Sequence, residues 1–82
     1  MTKQEFTEKL TPFFSPSQIE KLDNAALEAA QDIGETHDAG RDFIAVLIYD
    51  TAENPDEMKQ ALDIDMTDEA RNALVTQFSI EW

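Results

Sequence analysis

A chain of 82 residues with no cysteine makes one small domain, closed to disulfide, thiolate and cysteine–zinc chemistry. Its apolar share of 41% is ordinary for a folded domain and too high for a disordered one. Eighteen acids against six bases leave a net charge of −12, which repels nucleic acid phosphates and anionic membranes and attracts basic protein surfaces.

The punctuation of the chain predicts helices in order. Thr2 with Glu5 fits a capping box that opens a helix over about 3–10, ended by Thr11-Pro12, with Phe6 and Leu10 as its apolar face. Ser15-Pro16-Ser17-Gln18 supplies a Ser cap, a Pro at the first helical position and a Gln three residues on. Phe14 and Ile19 flank that cap as a hydrophobic staple. The helix it opens spans about 16–33, with Ile19, Leu22, Ala26, Ala29 and Ile33 inward and Gly34 as its stop.

The run Phe43–Tyr49 is apolar on every side and fits a buried central helix or a buried strand. A helix over about 39–53 is favoured. The alternative is a strand paired with 77–82, where Phe78, Ile80 and Trp82 alternate, although two strands alone are marginal. Asn54-Pro55-Asp56-Glu57 repeats the cap logic, with Asn54 as cap and Glu57 reaching back. It opens a short helix over about 55–62 that buries Met58, Ala61 and Leu62. A last helix spans about 68–78, capped by Thr67, with Ala70, Ala73, Leu74 and Phe78 on one stripe. The expected fold is therefore one all-α domain over 1–82, a bundle of four to five short helices, with α+β as the alternative.

No stretch is long and apolar enough to span a bilayer, and Met1–Glu5 has no signal-peptide core. A cytoplasmic location, without membrane association, is the expectation. Asp63-Ile64-Asp65-Met66-Thr67 spells D-x-D-x-T, similar to the nucleophile motif of the haloacid-dehalogenase phosphatases. It lacks the apolar strand that should precede it and the large α/β domain that should follow. As an EF-hand loop it has Asp68 where Gly is demanded and Leu74 where the bidentate Glu belongs. His37 is the only His and has no motif-defined nucleophile to serve. It reads as a loop or helix-end residue. The chain is accordingly expected to be no enzyme and to use no metal or cofactor.

Two groups of acids stand out. Glu20, Asn24, Glu28 and Asp32 recur at steps of four on one helix, with Glu35 just beyond. Each step rises about 6 Å, comparable to two phosphate steps of roughly 6.8 Å along one DNA strand. Like charges at this spacing destabilise a helix, so the row serves something other than stability. The second group is Asp50, Glu53, Asp56, Glu57, Asp63, Asp65, Asp68 and Glu69, eight acids between 50 and 69 against Lys59 alone. Tyr49 and Trp82, each with an apolar body and a polar tip, are the candidate anchors.

His37-Asp38-Ala39-Gly40-Arg41-Asp42-Phe43-Ile44 reads H-x-x-G-x-D-x-I. This resembles the motif between the second and third helices of the small acidic immunity proteins of DNase colicins. Glu5-Phe6 is similar to a Glu-Phe pair in their first helix. The resemblance implies a helical inhibitor that blocks the DNA-binding surface of a nuclease, with Asp42 facing the partner and the acids of the second helix giving specificity. Where that family continues with two Tyr and a Pro, this chain has Ala45, Val46 and Leu47.

The sequence thus predicts an acidic inhibitor, immunity protein or DNA mimic, of a basic nucleic-acid-binding protein, a nuclease foremost. The candidate contacts are Glu20, Glu28, Asp32, Glu35, Asp42, Tyr49, Asp50, Glu53, Asp56, Glu57, Asp63 and Asp65. The chain itself is not expected to bind nucleic acid. The alternative is a structural or adaptor module whose acids only confer solubility.

Overall fold

The computed structural model describes the backbone of residues 1–81 and the side chains of residues 1–77. Five helices follow one another: α1 (Lys3–Leu10), α2 (Pro16–Ile33), α3 (His37–Thr51), α4 (Pro55–Leu62) and α5 (Asp68–Glu81). No strand occurs among the described residues, so the fold is all-α. Residues 43–49 lie in α3 and 77–81 in α5, so the alternative strand pairing does not form; Trp82 lies outside the described residues.

Side chains satisfy the orphaned donors of the first turns, as the sequence implies. Thr2 Oγ1 accepts from the Glu5 N–H at 3.2 Å, and Glu5 Oε1 accepts from the Thr2 N–H at 3.1 Å. Ser15 and Gln18 make the same reciprocal pair at 3.3 and 3.0 Å. Asn54 Oδ1 accepts from the Glu57 N–H at 3.2 Å. The return bond from Glu57 is not made, because the Asn54 N–H already donates to the Thr51 carbonyl at 3.1 Å. Thr67 Oγ1 accepts from the Ala70 N–H at the start of α5.

Two boundaries differ from the sequence reading. α3 starts and ends two residues early, because the Thr36 hydroxyl caps it by accepting from the Ala39 N–H and the Ala52 N–H closes a tight last turn on Tyr49. α5 continues three residues past Phe78 to Glu81.

α3 packs against α1, α2, α4 and α5. One core joins Phe6 and Leu10 of α1, Leu22 and Ala26 of α2, Ile44 and Ile48 of α3, Met58 of α4 and Leu74 of α5. Phe14 and Ile19 are both buried in it, as the staple requires. Other inward assignments hold only in part or fail. Ile33 is 55% exposed in the last turn of α2, and Ala29 is half-buried against the core while its neighbour Ala30 is the more deeply buried. Ala61 is exposed, while Ala70 and Ala73 are half-buried. The largest departure is in α3, where Phe43 and Val46 are 51% and 48% exposed. The helix is buried on one side, not all round.

The choice of Ala30 follows from Gly40. A Cβ at Gly40 would run into the Ala26 carbonyl oxygen and come within 2.9 Å of the Ala30 Cβ. α2 and α3 therefore approach backbone to side chain, with small residues on both sides. Gly34, at φ +71°, ends α2 in the left-handed region that glycine adopts without penalty. Replacing Gly40 by Ala must push the two helices apart and should cost about 1–3 kcal/mol. Urea unfolding followed by circular dichroism should show that loss with helix content retained; an unchanged midpoint would mean that α2 and α3 do not meet this closely.

Candidate functional site: the acidic surface

Sorting the acids by what faces them separates structural charges from free ones. Arg41 is 6% exposed, and a guanidinium so buried needs partners. Its Nε donates to Asp23 Oδ1 at 2.6 Å and its Nη1 to Asp38 Oδ1 at 2.5 Å. His37, the first residue of α3, completes the cluster. Arg41 Nη2 lies 3.2 Å from His37 Nδ1, and His37 Nε2 lies 3.0 Å from the Asp23 carbonyl oxygen. A guanidinium only donates and a carbonyl only accepts, so the neutral ring accepts at Nδ1 and carries its proton on Nε2. The letters of H-x-x-G-x-D-x-I thus acquire local jobs: His37 and Arg41 clamp Asp23, Gly40 lets the helices close, and Ile44 enters the core.

A second cluster absorbs the D-x-D pair. Asp63 ends α4 with φ 54°, left-handed geometry that Asp tolerates better than most residues. Its carboxylate lies 2.7 Å from Lys21 Nζ and 3.1 Å from Lys59 Nζ, while Asp65 lies 3.2 Å from Lys59 Nζ. The hydrogen bonds from Lys21 and Lys59 hold the Asp63 carboxyl below its ordinary 3.8. Reciprocally, Asp63 and then Asp65 raise Lys59 above 10.5. Among the described residues, no group of three His, Asp or Glu is placed to hold a metal ion.

The remaining candidates divide plainly. Asp42 pairs with the α-amino group of Met1 at 3.1 Å and stays 62% exposed. Asp63 and Asp65 carry lysines. Glu20, Glu28, Asp32 and Glu35 on α2 and in the turn after it, and Asp50, Glu53, Asp56 and Glu57 around the α3–α4 junction, are all exposed. None has an ion pair among the described residues. Asp56 and Glu57 occupy the first turn of α4, where the helix dipole favours them. Asp32 and Asp50 sit in the opposite situation, in last turns that contain no base, where the dipole opposes a negative charge.

Tyr49 is half-buried and packs on the core. With Asp50, Glu53 and Val75 it lines a cleft of about 230 Å³. The other anchor named from sequence, Trp82, lies outside the described residues. Sequence reasoning missed the exposed apolar groups Leu27 and Ile33 on α2 and Phe43 and Val46 on α3; the last two lie near the cleft. Their signal was their position on α3, legible only once it is known which side of that helix the neighbours cover.

Comparison with protein-family models, curated proteins and solved structures finds no match to this chain. Among the described residues, no helix is long and apolar enough to cross a membrane.

Two predictions follow from the charges. Asp63 is more acidic folded than unfolded, so its contribution to stability is present above its ordinary 3.8 and lost as pH falls through the lowered value. Asp63→Asn keeps the left-handed turn but should flatten the acid limb of the stability–pH curve below about pH 4. An acid limb identical to that of the parent protein would dismiss the lysine pairing. Neutralising Asp32 or Asp50 to Asn removes a charge that its helix end opposes. At low ionic strength, thermal unfolding should show each variant as stable as the parent or more so, by up to about 1 kcal/mol; a clear loss would assign these acids a structural role.

Proposed function

We propose that this chain is a non-enzymatic inhibitor that occupies the basic, nucleic-acid-binding surface of another protein, a nuclease being the foremost candidate. The observation that carries this reading is the set of exposed acids with no ion pair among the described residues, two of them at helix ends that oppose their charge. Folding alone does not select an aspartate at either place. Four of the six bases, Lys21, Arg41, Lys59 and Arg71, are engaged with Asp63, Asp23, Asp65 and Asp68.

The mechanism is complementary charge. A field of one sign speeds encounter with a surface built to attract phosphates, and the bound inhibitor then covers that surface. An immunity protein and a DNA mimic are two versions of this mechanism, and cytoplasmic residence suits both. An adaptor module is the second reading. It draws support from Asp56, Glu57, Asp68 and Glu69, whose position in first turns has a stabilising explanation of its own.

The test starts with capture and identification of the partner, followed by association rates at two or more salt concentrations. Two sets of substitutions are compared with the parent: Glu20→Gln, Glu28→Gln and Asp32→Asn on α2, and Asp50→Asn in the last turn of α3 with Glu53→Gln just beyond it. Inhibition of a basic nucleic-acid enzyme should be relieved by salt. At least one set should slow association about tenfold or more at low salt, with the difference shrinking once the Debye length falls below about 8 Å. If both sets associate as fast as the parent at every salt concentration, the charges only solvate the protein and the adaptor reading replaces this one.

A further inference from the structure

A helix that touches four others is expected to be apolar and covered on most sides. α3 is covered on the side that carries Gly40, Arg41, Ile44, Ala45, Ile48 and Thr51. Its opposite side repeats at steps of three and four residues: Asp42, Phe43, Val46, Tyr49 and Asp50. Phe43 and Val46 are 51% and 48% exposed, and neither packs against the core. α2 also exposes Leu27 and Ile33, but these are six residues apart and point about 120° away from each other. Phe43 and Val46, three residues apart, point within about 60° of each other, and Tyr49, three residues further on, leads from Val46 to the cleft it forms with Asp50, Glu53 and Val75.

We infer that this outer face of α3 is the docking surface for a basic protein surface containing an apolar recess. The inference rests on the reading under Proposed function and adds the anchor to it. Phe43 and Val46 enter the recess. Lysine or arginine side chains at its rim meet Asp50 and Glu53. The cleft accepts the stem of one such side chain along Val75, with its charged head over Tyr49, an arrangement that cation–π attraction favours.

Charge selects this occupant over others. The ionisable side chains of the stripe other than Tyr49 are carboxylates. A second copy of the chain docked through the same face would oppose Asp42 and Asp50 with their own counterparts, on two bodies each of net charge −12. Nucleic acid is repelled for the same reason. A basic surface gains from both the apolar contact and the carboxylates around it.

The test uses the full chain and two probes: an amphipathic leucine–lysine helical peptide of about four turns, and polylysine of similar charge. In a titration followed by amide chemical shifts, the leucine–lysine peptide should perturb residues 42–50 above all. The double variant Phe43→Ser and Val46→Ser should bind that peptide at least about tenfold more weakly while binding polylysine as the parent does. Both positions are half exposed, so the variant should fold, and circular dichroism checks this. A second variant, Asp50→Asn with Glu53→Gln, should weaken both probes. If the peptide binds but its shifts map to α2, or the double serine variant binds it undiminished, this surface is wrong and the basic-partner reading survives. If neither probe binds the parent protein, both fall. If sedimentation shows a concentration-dependent dimer that the serine variant abolishes, the occupant is a second copy and the inference is overturned.

Discussion

The architecture depends on the contact between α2 and α3. Gly40 brings one helix onto the Ala26 carbonyl and the Ala30 methyl of the other. Beside it, Arg41 is held by Asp23 from α2 and Asp38 from its own helix. The two devices are complementary. Small residues remove the steric barrier to approach, but they bury little apolar area and specify rotation poorly. A buried guanidinium left without its carboxylate is costly, on the order of 3–5 kcal/mol when one partner of such a pair is removed. The ion pair therefore penalises every rotation of α3 that separates Arg41 from Asp23. With that rotation set, Ile44 and Ile48 face the core, and Phe43 and Val46 face water.

The ion pairs also shape the electrostatics. Arg41 is withdrawn from the surface, and Lys21 and Lys59 are drawn to Asp63 and Asp65 at the end of α4. The same events that stabilise the bundle engage these bases with other acids, so that among the described residues Asp32, Asp50 and Glu53 have no ion pair, while Lys3 borders a groove with Glu20 and Lys21 one with Glu28. The acidity of the surface comes from the distribution of the bases as much as from the number of acids. Composition reports only the second.

What the sequence discloses follows the range of the interaction involved. The caps at Thr2, Ser15 and Asn54 are contacts between residues three apart, and they were legible. So were the stop at Gly34 and the staple of Phe14 with Ile19. Thr36 escapes the sequence reading because it has neither a Glu or Gln three residues on, as Thr2 and Ser15 have, nor the two adjacent acids that follow Thr67; His37, Asp38 and Ala39 occupy those places. The apolar run 43–49 was correctly favoured as helix, yet it was read as buried on every side. Periodicity alone cannot show which flank of a wholly apolar segment lacks neighbours. The acidic stretch 50–69 looked uniform in sequence because Lys21, forty-two residues before Asp63, contributes to it only through the fold. Asp63 is paired with Lys21 and Lys59, and Asp65 with Lys59, whereas Asp50 and Glu53 have no ion pair among the described residues.

The contrast between the two halves of that stretch bears on what the protein can do. An ion-paired carboxylate on a surface offers a partner little, since a new cation must displace the old one and exposed pairs are worth at most about 1 kcal/mol. An unpaired carboxylate beside exposed apolar groups offers both attraction at a distance and burial on contact. Asp50 and Glu53 combine these properties, lying beside Tyr49 and on the side of α3 where Phe43 and Val46 are uncovered. On α2, Glu20 and Glu28 have no ion pair among the described residues, but the exposed apolar residues of that helix form no stripe. The two acidic surfaces therefore differ in kind. The row on α2 is suited to steering, whereas the outer face of α3 is suited to being held.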